Sequence, residues 1–415
     1  MHRACSLSMP FPDTIAGLLR ADPIVVTGTG CVSRAGTGTA PLWEAVHQGK
    51  PGGRSETIAL PQGTVDLPAA LAPPPAHRLA GKVDRSVLFA LAAAAEAWKQ
   101  AGGETIDPQQ RAVVAGTSRG PHHVWTHTEN LLRNGRKLPP RLATAGTLAA
   151  LSGAIAAEIH AHGPGFTVSA TCASGASAIA AAAEMLLLGR AGIVVAGGAE
   201  APLTPAVILS MQSTGLLGTH EDPARACRPF DRTRDGMLPG EGAGFLVMER
   251  LSHARHRGAT VLAQLSGWAT AVKGEGRAGV AGDGHALARV MQETLATAGL
   301  PPEAVDYLNA HGTGTPLNDR AEAAAIRAVF PAPPPLSSTK AVTGHCLGAS
   351  PGMEAVIAVE CLRHQWLPGS VNTTEPEFDL PFIPAPGRPG KVRHVLSSSL
   401  GFWGFHAALL FSSPP

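Results

Sequence analysis

The sequence predicts an α/β protein made of two similar halves stacked in layers. Three observations carry this. Strand and helix signals alternate along nearly the whole chain, the same rhythm of elements runs twice with a changeover near residues 250–257, and small residues dominate the packing. Hydrophobic residues make up 44% of the 415 positions but aromatics only 4%. Layers built from Ala and Gly approach one another closely.

In the first half, residues 23–28 open as a strand around Ile24-Val25-Val26, residues 86–101 form an Ala- and Leu-rich helix, and 111–117 a strand. A helix over 149–160 leads to a short strand at 166–169, bounded by Gly163-Pro164-Gly165. Residues 173–188 are helical, with Gly189 placed as a C-terminal cap. Strands follow at 192–197 and 244–248. The second half repeats the pattern: strand 261–268, helix 284–298, strand 305–309, helix 320–329, helix 352–363, and closing strands at 392–399 and 407–411. Residues 1–22 are read as an extension, 23–250 as the first half and 251–413 as the second. No identity between the halves is visible, so the duplication rests on element order alone.

Composition excludes several classes. A net charge of +2 argues against a nucleic-acid partner. The six cysteines (Cys5, Cys31, Cys172, Cys227, Cys346, Cys361) contain no C-x-x-C pair, so neither a disulfide framework nor a structural zinc site is expected. The first 22 residues mix Arg3, Pro10, Pro12 and Asp13 into their apolar stretch and lack a signal core, and no uncharged 18-residue apolar run follows. A cytoplasmic protein without a metal centre is expected.

Cys172 sits where the 166–169 strand runs into a helix, in Thr167-Val168-Ser169-Ala170-Thr171-Cys172-Ala173-Ser174-Gly175. Unpaired N–H groups and the helix dipole there are expected to lower its pKa and enlarge the thiolate fraction. Two histidine motifs accompany it. Asn309-Ala310-His311-Gly312-Thr313-Gly314-Thr315-Pro316 follows a buried strand, with glycines that let the backbone turn and threonines that offer hydroxyls to amides. Ser338-Thr339-Lys340-Ala341-Val342-Thr343-Gly344-His345-Cys346-Leu347-Gly348-Ala349 lies between a strand and a helix. Strand ends in Gly-rich turns are where α/β sheets place ligands. A thiolate with two imidazoles can hold a covalent acyl group and stabilise negative charge on a second substrate. Lys340 fixes the local field, with Glu354 as its counter-charge.

In this order and context the Cys172, His311, Lys340 and His345 segments resemble the elongating β-ketoacyl-acyl carrier protein synthases. The likeness runs from about Pro23 to Phe411. Further signatures are Ala196-Gly197-Gly198-Ala199-Glu200, Arg228-Pro229-Phe230-Asp231 and Gly240-Glu241-Gly242-Ala243-Gly244. The resemblance implies the thiolase fold, duplicated α/β halves in a layered αβαβα arrangement, usually dimeric. It implies an acyltransferase in which Cys172 takes an acyl chain from the 4'-phosphopantetheine of an acyl carrier protein, with no tightly bound cofactor. His311 and His345 would promote malonyl decarboxylation, and the carbanion would attack the thioester. Cys172 and Phe402 would supply oxyanion-hole N–H groups, and Thr313 and Thr315 would bind pantetheine amides. Asp319, Glu322 and Glu354 would support the site, and Arg136 and Lys137 match positions that dock the acidic carrier protein.

Absences and departures narrow the reading. Thiolases use a second Cys near the C-terminus, and no Cys follows Cys361; initiating synthases pair Cys with one His and one Asn. Non-catalytic chain-length partner subunits, the alternative from a different class, replace the nucleophile that this chain keeps. In place of the Gly-Phe-Gly-Gly-Thr-Asn loop of fatty-acid synthases the chain has Gly401-Phe402-Trp403-Gly404-Phe405-His406, where Phe405 and a following polar residue are closer to type II polyketide ketosynthase subunits. Arg119 replaces an apolar residue expected to line the acyl pocket, and the loop 273–284 lacks the usual Asp-Ala-Phe/Tyr-His segment. Arg119 and Trp403 are therefore read as substrate-binding residues. A specialised polyketide or polyene synthase, homodimeric or paired with a related subunit, is expected over a housekeeping fatty-acid enzyme. Gly28-Thr29-Gly30 lacks the third glycine and acidic partner of a dinucleotide site, and His122, His123 and His127 are read as a polar loop.

Overall fold

The computed structural model describes residues 11–60, 63–274 and 283–415. Part of the segment read as an extension is a helix, Phe11–Ala21. Residues 1–10, with Cys5, and residues 275–282 of the loop noted above lie outside the described residues.

The two halves run through the same eight elements. The first has β1 (Ile24–Ser33), α1 (Arg85–Ala101), β2 (Arg111–Gly116), α2 (Ala150–Glu158), β3 (Gly165–Val168), α3 (Ser174–Leu187), β4 (Ile193–Glu200) and β5 (Gly242–Arg250). The second has β6 (Ala263–Val272), α4 (His285–Ala298), β7 (Tyr307–Asn309), α5 (Pro316–Val329), β8 (Leu336–Ser337), α6 (Ser350–His364), β9 (His394–Leu400) and β10 (Phe405–Ser412). Their strands join in one sheet of order β8-β7-β9-β10-β6-β1-β5-β4-β2-β3. Outward from the centre each half has the same order, and the halves meet where Ile24–Val26 of β1 pairs antiparallel with Leu265–Ala263 of β6.

Alternation along the strands sorts the core into layers. Val194 and Ala196 of β4 and Val395 of β9 face α3 and α6, which lie side by side between the two half-sheets. Ile193 and Val195 face α1 and α2 on one outer surface, and Leu396 and Leu410 face α4 and α5 on the other. The result is the αβαβα stack expected. Ala and Gly make the middle layer thin: a Cβ on Gly175 of α3 would fall 2.8 Å from the backbone nitrogen of Gly352 in α6.

Most expected elements appear with ends shifted by a few residues. Others were not anticipated: helices Thr39–His47, His122–Arg133 and Pro205–Ser213, and the hairpin Arg54–Leu60 with Gly63–Ala69. His122, His123 and His127 are thus helical, correcting the loop reading. The hairpin and the Pro205–Ser213 helix supply Leu67, Ala69, Val207, Ile208 and Met211 to an apolar cluster that also holds Cys172, Met237 and Leu347. They form a cover over one end of the central layer.

Candidate active site

The duplication places the strand-to-helix turns β3–α3 and β8–α6 at corresponding positions, the first carrying Cys172 and the second His345. Before Cys172 the chain bends through Thr171, whose φ of 51° is a left-handed conformation that β-branched residues resist. Ser174 Oγ holds the bend: it accepts from Ala170 N–H at 2.9 Å and lies 2.6 Å from Thr171 O. The 401–405 turn closes on the same spot. Thr171 Oγ1 donates to Phe402 O at 3.2 Å, and a Cβ on Gly401 would fall 2.2 Å from that Oγ1, so a larger residue there would displace the hydroxyl from this bond.

Cys172 is 6% exposed. Burial pushes its thiol up to about 12, against lowering by the Lys340 and Arg119 charges and by the Phe402 N–H. This corrects the expected acidified thiol: desolvation outweighs the helix N-terminus and the nearby cations. At pH 7 Cys172 is a neutral thiol.

The His311 and His345 rings stand edge to face with centroids 5.2 Å apart. Burial, then Lys340, holds both well below the usual histidine value, so both are neutral at pH 7. His345 Nδ1 lies 3.1 Å from Ser350 Oγ, which accepts from Cys346 N–H at 2.8 Å. A Ser350 O–H donated to Nδ1 leaves the Nε2 of His345 as the protonated nitrogen. Behind them, Lys340 Nζ pairs with Glu354 Oε1 at 2.5 Å, both side chains buried. Burial raises the Glu354 carboxyl and Lys340 opposes it.

The His311 loop hangs on two buried carboxylates of α5. Glu322 accepts from the N–H groups of His311 (2.8 Å) and Gly312 (2.7 Å) and from Ser398 Oγ (2.7 Å). Asp319 accepts from Phe230 N–H and Gly314 N–H. Burial raises Glu322 to about 7. Thr313 and Thr315 hydroxyls lie 2.8 Å apart.

Cys172, His311, His345, Thr313, Thr315 and Phe402 line one small cavity of about 40 Å³, with Leu216, Met237, Asn318, Leu347 and Leu400 as further walls. Those five were not foreseen; four apolar side chains and one asparagine scattered along the sequence carry no signal of a shared wall. Two buried ionisable residues were also missed. Glu200 accepts from Ser118 N–H, Arg119 N–H, Gly348 N–H and Thr117 Oγ1, tying the end of β2 to the His345 turn, and burial raises it to about 7. It ends a quoted motif, which was its signal. His406 on β10 is buried near enough to His311 to lower its pKa, and its own falls to about 4 through burial and Lys273.

Two expected pocket residues stand elsewhere. Arg119 is exposed and does not line the cavity; of the environments open to a lone guanidinium, it takes water. Trp403 is also outside the lining, 55% exposed at the apex of its turn. Arg136 and Lys137 are exposed, just past the His122–Arg133 helix. Among the described residues no group of three or more His, Cys, Asp or Glu could hold a metal ion, and no helix is long and apolar enough to cross a membrane.

Two family models match the chain: the beta-ketoacyl synthase N-terminal domain over residues 74–254 and its C-terminal domain over 262–374. A putative polyketide beta-ketoacyl synthase 1 from Streptomyces cyaneus is 36% identical over 413 residues, covering 94% of this chain and 98% of the relative. The 3-oxoacyl-[acyl-carrier-protein] synthase 2 of Coxiella burnetii is 33% identical over 419 residues, covering 94% and 98%. Among solved structures, the ishigamide ketosynthase/chain length factor superposes with a TM-score of 0.86 at 30% identity, covering 95% of this chain and 100% of that one. A type II polyketide ketosynthase in complex with its acyl-carrier protein and bound to a hexaketide gives 0.84 at 28%, with the same coverage.

Proposed function

The chain belongs to the beta-ketoacyl synthase family, and from that premise we propose the residue roles and the substrate handle of a type II ketosynthase with Cys172 as its nucleophile. The convergence of one thiol and two neutral imidazoles on a single cavity carries this reading.

An acyl thioester on the phosphopantetheine arm of a carrier protein enters past Phe402. The Cys172 sulfur attacks the thioester carbon, the carbonyl oxygen takes up negative charge between the Cys172 and Phe402 N–H groups, and the arm leaves as a thiol. With a thiol raised to about 12, the proton leaves sulfur as the carbon–sulfur bond forms, and it ends on the departing arm. Malonyl-carrier protein then occupies the cavity. Neutral His311 and His345 donate to the malonyl thioester oxygen, its carboxylate leaves as carbon dioxide, and the resulting enolate carbon attacks the acyl group on Cys172. The product is a chain two carbons longer on the carrier, and the Cys172 sulfur leaves as a thiolate that takes a proton from water to return to the thiol. Lys340 and Glu354 fix the field behind the histidines. Thr313 and Thr315 take the arm's amides, Asp319 and Glu322 hold their loop, and Arg136 and Lys137 face the acidic carrier.

We assign residues 23–250 and 251–413 to the two halves, place the protein in the cytoplasm, and pair it with a second copy or a related chain-length subunit. In support of pairing, β3 is the outermost strand of its half and carries an exposed Phe166. The turn 401–406 favours polyketide over housekeeping fatty-acid synthesis. The test is carbon dioxide release from malonyl-carrier protein with transfer of label from acyl-carrier protein to Cys172. His311→Ala and His345→Ala are expected to suppress decarboxylation far more than acylation. The reverse pattern overturns the roles, and no decarboxylation by the parent favours a non-catalytic partner subunit.

A further inference from the structure

Trp403 stands out on two independent counts. Its backbone sits at φ 62°, ψ 14°, a left-handed conformation that costs a non-glycine residue about 1–2 kcal/mol. Its ring is 55% exposed, although indoles are mostly well buried. Strain held at an exposed aromatic points to a role outside the folded core.

The turn that carries it is fixed at both ends. Gly401 N–H donates to Phe405 O at 2.7 Å, and Lys273 N–H donates to Gly404 O at 2.8 Å. A Cβ on Gly404 would fall 2.8 Å from Lys273 O. The indole therefore rides on a fixed turn, next in the chain to Phe402, which lines the Cys172 cavity. On the neighbouring strand Val272, paired with Phe405, is 54% exposed. Trp403 and Val272 are thus two exposed apolar side chains on the turn and strand beside the cavity-lining Phe402.

We propose that Trp403 is the outer wall of the arm channel and packs against the branched, dimethylated carbon of the phosphopantetheine arm. The inference rests on the reading of Cys172 as the acyl acceptor. The arm presents its groups in the same order as the site: thiol, amides, then a saturated branched carbon. Cys172, the hydroxyls of Thr313 and Thr315, and the Trp403 and Val272 side chains meet them in turn. An aromatic face suits the branched carbon, where a glycine would offer nothing.

The experiment delivers malonyl on three handles: N-acetylcysteamine, which lacks the branched carbon; pantetheine, which has it; and the holo-carrier protein. Decarboxylation kcat/KM is measured for the parent, Trp403→Gly and Trp403→Phe. Trp403→Gly, which fits the left-handed turn, is expected to lower kcat/KM for pantetheine about tenfold more than for N-acetylcysteamine. Trp403→Phe is expected to keep most of the parent's preference for pantetheine. An equal fall on both small handles makes Trp403 a gate stiffener and overturns the proposal. A fall confined to the carrier protein moves the contact to the carrier's polypeptide and overturns it too. A parent that decarboxylates no handle and takes no acyl group onto Cys172 removes the underlying reading instead. A parent that acylates Cys172 with an unchanged handle preference in Trp403→Gly sinks this inference alone.

Discussion

Lys340 Nζ lies 2.5 Å from Glu354 Oε1 with both side chains closed off from water. Removing one partner leaves the other's charge buried and unpaired, the costly case for an ion pair. Lys340→Met is therefore expected to lose about 3–5 kcal/mol of stability, and Lys340→Met with Glu354→Leu to regain much of it. Denaturant melts check both. Decarboxylation should stay low in the double variant, because the ion pair that fixes the field behind His311 and His345 has gone.

Cys172 should react as a buried thiol and not as a resting thiolate. With the thiol raised to about 12, alkylation by iodoacetamide is expected to quicken about tenfold per pH unit from 7 to 9. Among the described cysteines it should still be labelled first, since Cys31, Cys227, Cys346 and Cys361 are 0–1% exposed against 6%. A rate that levels off below pH 8 would mean an acidified thiolate.

Glu322 uses both oxygens as acceptors, one for Gly312 N–H and the other for His311 N–H and Ser398 Oγ. A glutamine turns one of them into a donor facing a donor. Glu322→Gln is expected to cost about 1–3 kcal/mol and to cut decarboxylation while Cys172 still acylates. Equal stability and activity in the variant would remove Glu322 from the support of the His311 loop.

His406 gives a pH signature. Its folded pKa, about 4, lies below the usual 6.5 through burial and Lys273, with Asp283 opposing and Arg289 adding. The folded state thus binds fewer protons than the unfolded chain in that window. Its stabilisation is complete above about pH 6.5 and is lost as pH falls through about 4, up to about 3 kcal/mol. Glu200 and Glu322, raised to about 7, act the other way between pH 4.5 and 7. The difference between parent and His406→Asn isolates the histidine: the variant should lose less stability between pH 7 and 4.5. Parallel profiles would sink the assignment.

Much of the architecture was legible because strand alternation and helical Ala-rich runs are local signals. That Cys172 and both histidines would meet in one cavity was legible because each lies in a Gly- or Ser-rich turn at a strand end. What escaped was set by distance along the chain. Arg119 looked like a pocket wall, yet only the folded surface shows it in solvent. The thiol was expected to be acidic because the helix N-terminus is visible in sequence, whereas the apolar cover from Leu67, Val207 and Met237 is not. Glu200 and His406 likewise gain their importance from neighbours 81 to 148 residues away for the first and, for the second, from nearness to His311, which follows a strand two places away in the sheet.

Gly175 meets the Gly352 backbone at the seam between the two halves. α3 begins just after Cys172, and α6 just after His345. Their approach is limited by one hydrogen atom, on Gly175, where any other residue would put a carbon 2.8 Å from the Gly352 nitrogen. A methyl at residue 175 acts as a wedge between the Cys172 and His345 turns before it touches either side chain. The hydrogen on Gly175 is a ruler for the gap between the two turns.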